Sequence, residues 1–62
     1  MQAQIITNAN SLVGHFKTFG YFGPVYEVLS LSVDKSTVHV KVLTSGEESD
    51  YPLTQALNDP EA

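Results

Sequence analysis

Between Pro24 and Leu53 the chain alternates apolar and polar residues in three runs separated by two polar turns, and this pattern constrains the fold more than any other feature. Val38, Val40 and Val42 occupy every second position with Thr37, His39 and Lys41 between them, the period of a strand with one face buried. Three such strands joined by short turns leave few alternatives to an antiparallel meander. Within the first run the phase slips: Tyr26 and Val28 share one face, whereas Leu29, Leu31 and Val33 fall on the other. A β-bulge near Val28 or Leu29 restores a single apolar face and bends the strand, as a small sheet requires if it is to curl towards a barrel.

The punctuation supports the same reading. Asp34, Lys35 and Ser36 suit a hairpin turn, and Thr44 to Glu47 forms a second one in which Gly46 can supply a positive φ. In the last run Tyr51 and Leu53 point inward, Asp50 and Pro52 outward, and Pro52, which lacks an N–H, confines the segment to a sheet edge or strand end. Thr54 can then cap one helical turn that stacks Leu57 beyond Leu53 and ends at Asp59 and Pro60. Upstream, Leu12 to Phe19 fits both a helical and an alternating pattern. Gly14 favours the strand, because a mid-helix glycine costs about 1 kcal/mol against alanine, whereas in a strand it marks a bend or a close backbone approach. Met1 to Asn10 has weak periodicity and reads as a flexible arm or an added strand. The expectation is an arm over residues 1–10 and one mainly β domain over 11–62, a small antiparallel meander forming an SH3-like partly open barrel with a short C-terminal helical turn.

A chain of 62 residues makes one domain and buries a smaller share of its surface than a large one does, so marginal stability or self-association as a homodimer is expected. There is no cysteine for a disulfide or a thiolate metal site, and no basic, apolar leader at the N-terminus. No window approaches the roughly 20 apolar residues of a membrane-spanning helix. A cytoplasmic protein is the default expectation. Three basic residues stand against seven acidic ones, none of the three is arginine, and the net charge is −4, so nucleic-acid binding lacks the basic stripe it needs.

No motif carries chemistry. His15 and His39 are the only histidines and share no ligand spacing, so neither a metal nor a cofactor is expected. Glu47, Glu48 and Asp50 cluster at one turn without the spacing of a calcium loop, which leaves a solvated surface or a partner-recognition role. Paired carboxylates for catalysis need a cleft, and a domain this small can hardly enclose one, so an enzyme is not expected. The loop Gly20, Tyr21, Phe22, Gly23, Pro24 admits two readings: its aromatics fold back as a lid on a small core, or they stand out as an anchor for a partner.

The segments GPVYEVLSL and LTSGEESDYPLTQALNDPEA resemble a family of short bacterial proteins of unknown function that share a G-P-x-Y-E-V core and an S-G-E-E-x-D-Y-P-L tail. Over about Leu12 to Ala62, Gly23, Pro24, Tyr26, Glu27, Gly46, Glu47, Asp50, Tyr51 and Pro52 match that pattern, and the resemblance passes on no active site. Turn and core roles account for the glycines, prolines and tyrosines. Glu27 and Asp50 need another reason, which a cross-strand pair of Glu27 with Lys41 or an acidic docking face of Glu27, Glu48 and Asp50 would supply. The functional expectation is a protein-interaction module using Tyr21, Phe22, Glu27, Glu48 and Asp50. The alternatives are an acidic antitoxin or inhibitor of a basic protein and, third, a nucleic-acid-binding barrel.

Overall fold

The computed structural model describes residues 11–62, so the arm assigned to residues 1–10 lies outside the described residues. Four strands follow in order, β1 (Phe16–Thr18), β2 (Val25–Leu31), β3 (Thr37–Val42) and β4 (Glu48–Pro52), and then one helix, α1 (Leu53–Asn58). The strands pair antiparallel with their neighbours in the order β1-β2-β3-β4, and the sheet does not close. Mainly β, with a partly open meander and a short C-terminal helix, is what the alternating runs predict.

The bulge falls where the phase slip requires it. Val28 pairs with Val40 and Ser30 with His39, which leaves Leu29 as the extra residue. Leu31 thereby returns to the inner face opposite Val38. Val33, expected on the same apolar face, is instead fully exposed in the hairpin turn, because the strand ends two residues before it. The second turn also forms as read, with Gly46 at φ 76° and its N–H donating to the Val42 carbonyl at 2.7 Å.

One face of the sheet is dry. Tyr26, Val28, Val38 and Val40 are completely buried there, joined by Leu12 and by Ala56 of α1, with Phe19, Leu31, Tyr51 and Leu53 packed around them. Each such valine withdrawn from water is worth about 1.5–3 kcal/mol, and six buried side chains make the whole centre of the core.

The helix departs from expectation in two ways. Thr54 is not its cap: α1 starts at Leu53 behind Pro52, whose fixed φ of −59° turns the chain into the helix without a side-chain hydrogen bond. Nor does Leu57 stack inward. Ala56, three residues after Leu53, takes the buried position, and Leu57 is left 43% exposed. The helix ends at Asp59, as the Asp-Pro pair predicts, with the Asp59 N–H donating to the Gln55 carbonyl at 2.9 Å.

α1 carries the chain from β4 back to β1, and the last residues then cover the outer edge of β1. Thr18 N–H donates to the Pro60 carbonyl at 3.1 Å and Ala62 N–H to the Phe16 carbonyl at 2.9 Å, around a single bridge between Lys17 and Glu61. The N-terminal candidate strand is real but short. Gly14 lies ahead of it, in the bend where its N–H donates to the Val28 carbonyl at 2.7 Å.

Candidate partner-binding site

The strand β1 places Lys17 on the inner face, beside Tyr26, and the residue is only 4% exposed. An ammonium so placed must be fully hydrogen-bonded. Lys17 Nζ donates to the carbonyls of Ala56 at 2.7 Å, Asp59 at 3.0 Å and Leu57 at 3.4 Å, and the Glu61 carboxylate stands 3.6 Å away. These are the carbonyls at the C-terminal end of α1, which has no basic residue of its own in its last turn. One buried lysine from a distant strand thus answers acceptors that the helix leaves open and meets its negative end.

Asp59 completes the same corner. Its Oδ2 accepts from the hydroxyls of Tyr26 at 2.8 Å and Tyr51 at 2.9 Å, and its Oδ1 accepts from the Gly20 N–H at 3.2 Å. Burial, and then the Asp59 hydrogen bond, raises the Tyr26 phenol far above the ordinary tyrosine range. The same two causes push Tyr51 up to about 12, so both phenols remain donors throughout the physiological range. The Phe19 ring packs at 4.3 Å from Tyr26 and edge-on at 5.0 Å from Tyr51. Asp59 therefore connects the aromatic core to the loop that follows Phe19.

That loop, between β1 and β2, carries the exposed aromatics. Phe19 N–H donates to the Pro24 carbonyl at 3.2 Å, closing a hairpin over residues 20–23. Tyr21 is 86% exposed and Phe22 fully exposed, so neither serves as a lid on the core. Phe19 and Tyr51 fill that role instead. The bracketing glycines have geometric causes: Gly20 sits at φ 68°, and a Cβ on Gly23 would lie 2.1 Å from the Phe19 carbonyl oxygen. They shape a tight loop.

On the outer face of the sheet, Glu27, Lys41 and Glu48 stand in one row across β2, β3 and β4, and His39 faces Asp50 in another. The three carboxylates do share a face, as the sequence reading allows, but two basic groups lie between them. His39 Nε2 is 2.9 Å from Glu48 Oε1 and its Nδ1 is 3.0 Å from Asp50 Oδ1, which raises the His39 pKa, the Asp50 hydrogen bond contributing most and Glu48 next. Only the doubly protonated ring can donate to both carboxylates at once. Lys41 lies opposite both Glu27 and Glu48 in register, yet no ion pair closes between Glu27 and Lys41. Register, rather than a formed salt bridge, is what this pair shares.

At the opposite side of β1, Ser11, Leu12, His15, Lys17, Leu57 and Glu61 line a shallow hollow of about 230 Å³. The His15 Nδ1 there lies 3.1 Å from Glu61 Oε1. Among the described residues no group of three or more His, Cys, Asp or Glu side chains could hold a metal ion, and no helix is long and apolar enough to cross a membrane. The burial of Lys17 and the hub at Asp59 escape sequence reasoning. Only the lysine's place in an alternating segment, next to Phe16 and Thr18, could have signalled an inward position.

The fold and this surface define a small, open, antiparallel β domain that presents an aromatic hairpin tip. The chain belongs to DUF5397, a family of unknown function, whose model matches residues 3–62. The match reaches well upstream of Leu12, where the resemblance read from the sequence begins. No curated protein matches the chain.

Proposed function

We propose that this protein is a non-catalytic, cytoplasmic interaction module whose contact is anchored by Tyr21 and Phe22. The observation that carries the proposal is the exposure of two adjacent aromatics, one of them complete, on a loop held from both sides, by Asp59 at Gly20 and by the close approach of Gly23 to Phe19. Aromatic side chains are the commonest anchors of protein contacts, and a preformed loop lowers the ordering cost of binding. An SH3-like curl of the sheet, anticipated from the bulge at Leu29, belongs to the same reading.

The acidic-inhibitor alternative draws on Glu27, Glu48 and Asp50, and the interleaved Lys41 and His39 weaken it as a purely negative face. A nucleic-acid role has less support still, since one of the three lysines spends its ammonium on backbone carbonyls. Replacing Tyr21 and Phe22 together with serine tests the interaction reading. The expected outcome is loss of self-association or of partner capture from the native cell, read by sedimentation and affinity purification, with the wild-type melting temperature kept. A large fall in stability with association intact would overturn it.

A further inference from the structure

The hairpin loops 20–23 and 43–47 lie at the same end of the meander, because successive antiparallel turns alternate ends. They are also joined there. Leu43 N–H donates to the Val25 carbonyl at 3.0 Å, and Val25 pairs with Thr18. The end of the sheet that carries the aromatic tip therefore also carries half-buried Val25, Leu43, which is 45% exposed, and the exposed Glu47. Glu47 has no cation within ion-pair distance among the described residues. The lysines lie elsewhere: Lys17 is buried under α1, Lys35 sits in the hairpin at the other end, and Lys41 stands opposite Glu27 and Glu48 in register without closing an ion pair.

Resting on the reading of Tyr21 and Phe22 as an anchor, we infer that the occupant of this end is a basic segment of another protein, one that sets an arginine or lysine side chain beside an apolar one. Exposed aromatic faces attract such cations, and an unpaired carboxylate at the same end of the sheet favours a cationic neighbour. A second copy of this chain is the poorer occupant. It would bring Glu47 and a further net charge of −4 against the same surface, which repels.

The test uses the whole isotope-labelled chain and two synthetic peptides of equal length with the same leucines, one carrying three arginines and the other three glutamates. The arginine peptide is expected to shift the amide resonances of Gly20, Tyr21, Phe22, Gly23 and Glu47, and the glutamate peptide to leave them unmoved. Glu47→Gln, at an exposed position that leaves the fold intact, should weaken the arginine peptide about two- to fivefold, the range of one exposed charge pair. Tyr21→Ser with Phe22→Ser should abolish the shifts. Equal shifts of the loop by both peptides would overturn the basic partner and leave the anchor standing. Shifts confined to His39, Glu48 and Asp50 would overturn the anchor as well, and no shift with either peptide at millimolar concentration would overturn the inference.

Discussion

Two hairpin loops of this molecule each expose an apolar side chain at the tip, Phe22 between β1 and β2 and Val33 between β2 and β3, yet they are held in opposite ways. The Val33 loop is held mainly by its own residues, with one tie from the Leu53 N–H to the Ser36 carbonyl at 3.0 Å. Asp34 accepts from the Ser32 hydroxyl at 2.8 Å and from the N–H and hydroxyl of Ser36 at 3.1 and 2.8 Å, all within five residues. The Phe22 loop is held by Asp59, 39 positions away from Gly20, and by contact with the core residue Phe19. A loop tied to its own neighbours can form before the rest of the domain, whereas one that also depends on a distant carboxylate takes its final shape only with the whole fold. The aromatic tip is accordingly fixed in place by the folded molecule.

Removing the distant tether is the severest way to break this contrast. Asp59→Ala leaves the buried Tyr26 hydroxyl without an acceptor and takes one from Tyr51, a loss of about 2–4 kcal/mol. For a domain of this size that lowers the melting temperature by roughly 10–20 °C, to be followed by circular dichroism. The variant should also lose part of its response at high pH. Tyr51 is raised when folded, so the stability it contributes is complete below the ordinary phenol value near 10 and disappears as pH climbs towards about 12. If Asp59→Ala melted with the wild type, the loop would not depend on the distant segment.

Gly23→Ala attacks the same loop from its other side. The added methyl group would meet the Phe19 carbonyl at 2.1 Å, so the hairpin must open, at a cost of about 1–3 kcal/mol. Amide shifts of Phe19 to Pro24 should move together while those around Ser32 to Ser36 stay in place. Movement at both loops would mean that they are not independent.

The contrast also explains what could be read in the chain and what could not. Turns and strands announce themselves within a few residues, so the Asp34 turn, the Gly46 turn, the edge position of Pro52 and the extra residue at Leu29 were legible from spacing alone. Lys17 was not, because the carbonyls that make its burial tolerable belong to residues 56–59, about 40 positions later. Tyr26 and Asp59 are likewise 33 positions apart. The helix start was misread at Thr54 for a related reason: a capping preference is a local signal, and here the φ of Pro52 and the burial of Ala56 outweighed it. Of the proposed contact residues, Tyr21 and Phe22 are identifiable as a pair between glycines, and the glycines serve the geometry of the loop. The clamp of Glu48 and Asp50 on His39 depended on a cross-strand register that only the folded sheet supplies.

A smaller effect is expected at the Val33 loop. Asp34→Ala should cost less than half of what Asp59→Ala does, because Ser36 is exposed and Ser32 only half-buried, whereas the Tyr26 that Asp59 serves is fully buried. Its pH signature has the opposite sense to that of Tyr51. Hydrogen bonds from Ser32, and next from Ser36, hold the Asp34 carboxyl below its ordinary value. Its contribution is therefore present above about pH 3.9 and is lost as pH falls through the lower folded value. Acid titration of wild type against Asp34→Ala should converge at the lowest pH, and parallel curves would remove the turn's hydrogen bonds from the account.

The smallest expected effect sharpens the comparison most. Phe22→Ser and Val33→Ser each alter a fully exposed side chain, so each should leave stability within about 0.5 kcal/mol of wild type, a shift of at most a few degrees. Thermodynamically the two tips are then equivalent, and any difference between the variants must arise outside the folding equilibrium. Phe22 stands beside a second exposed aromatic on a loop locked to the core, whereas Val33 stands alone among serines, Asp34 and Lys35. A partner gains far more buried area and less ordering cost at the first tip than at the second. Parallel affinity purification should thus show capture lost with Phe22→Ser and unchanged with Val33→Ser. Equal losses would make the exposed side chain at either tip sufficient and the tether to Asp59 irrelevant to binding.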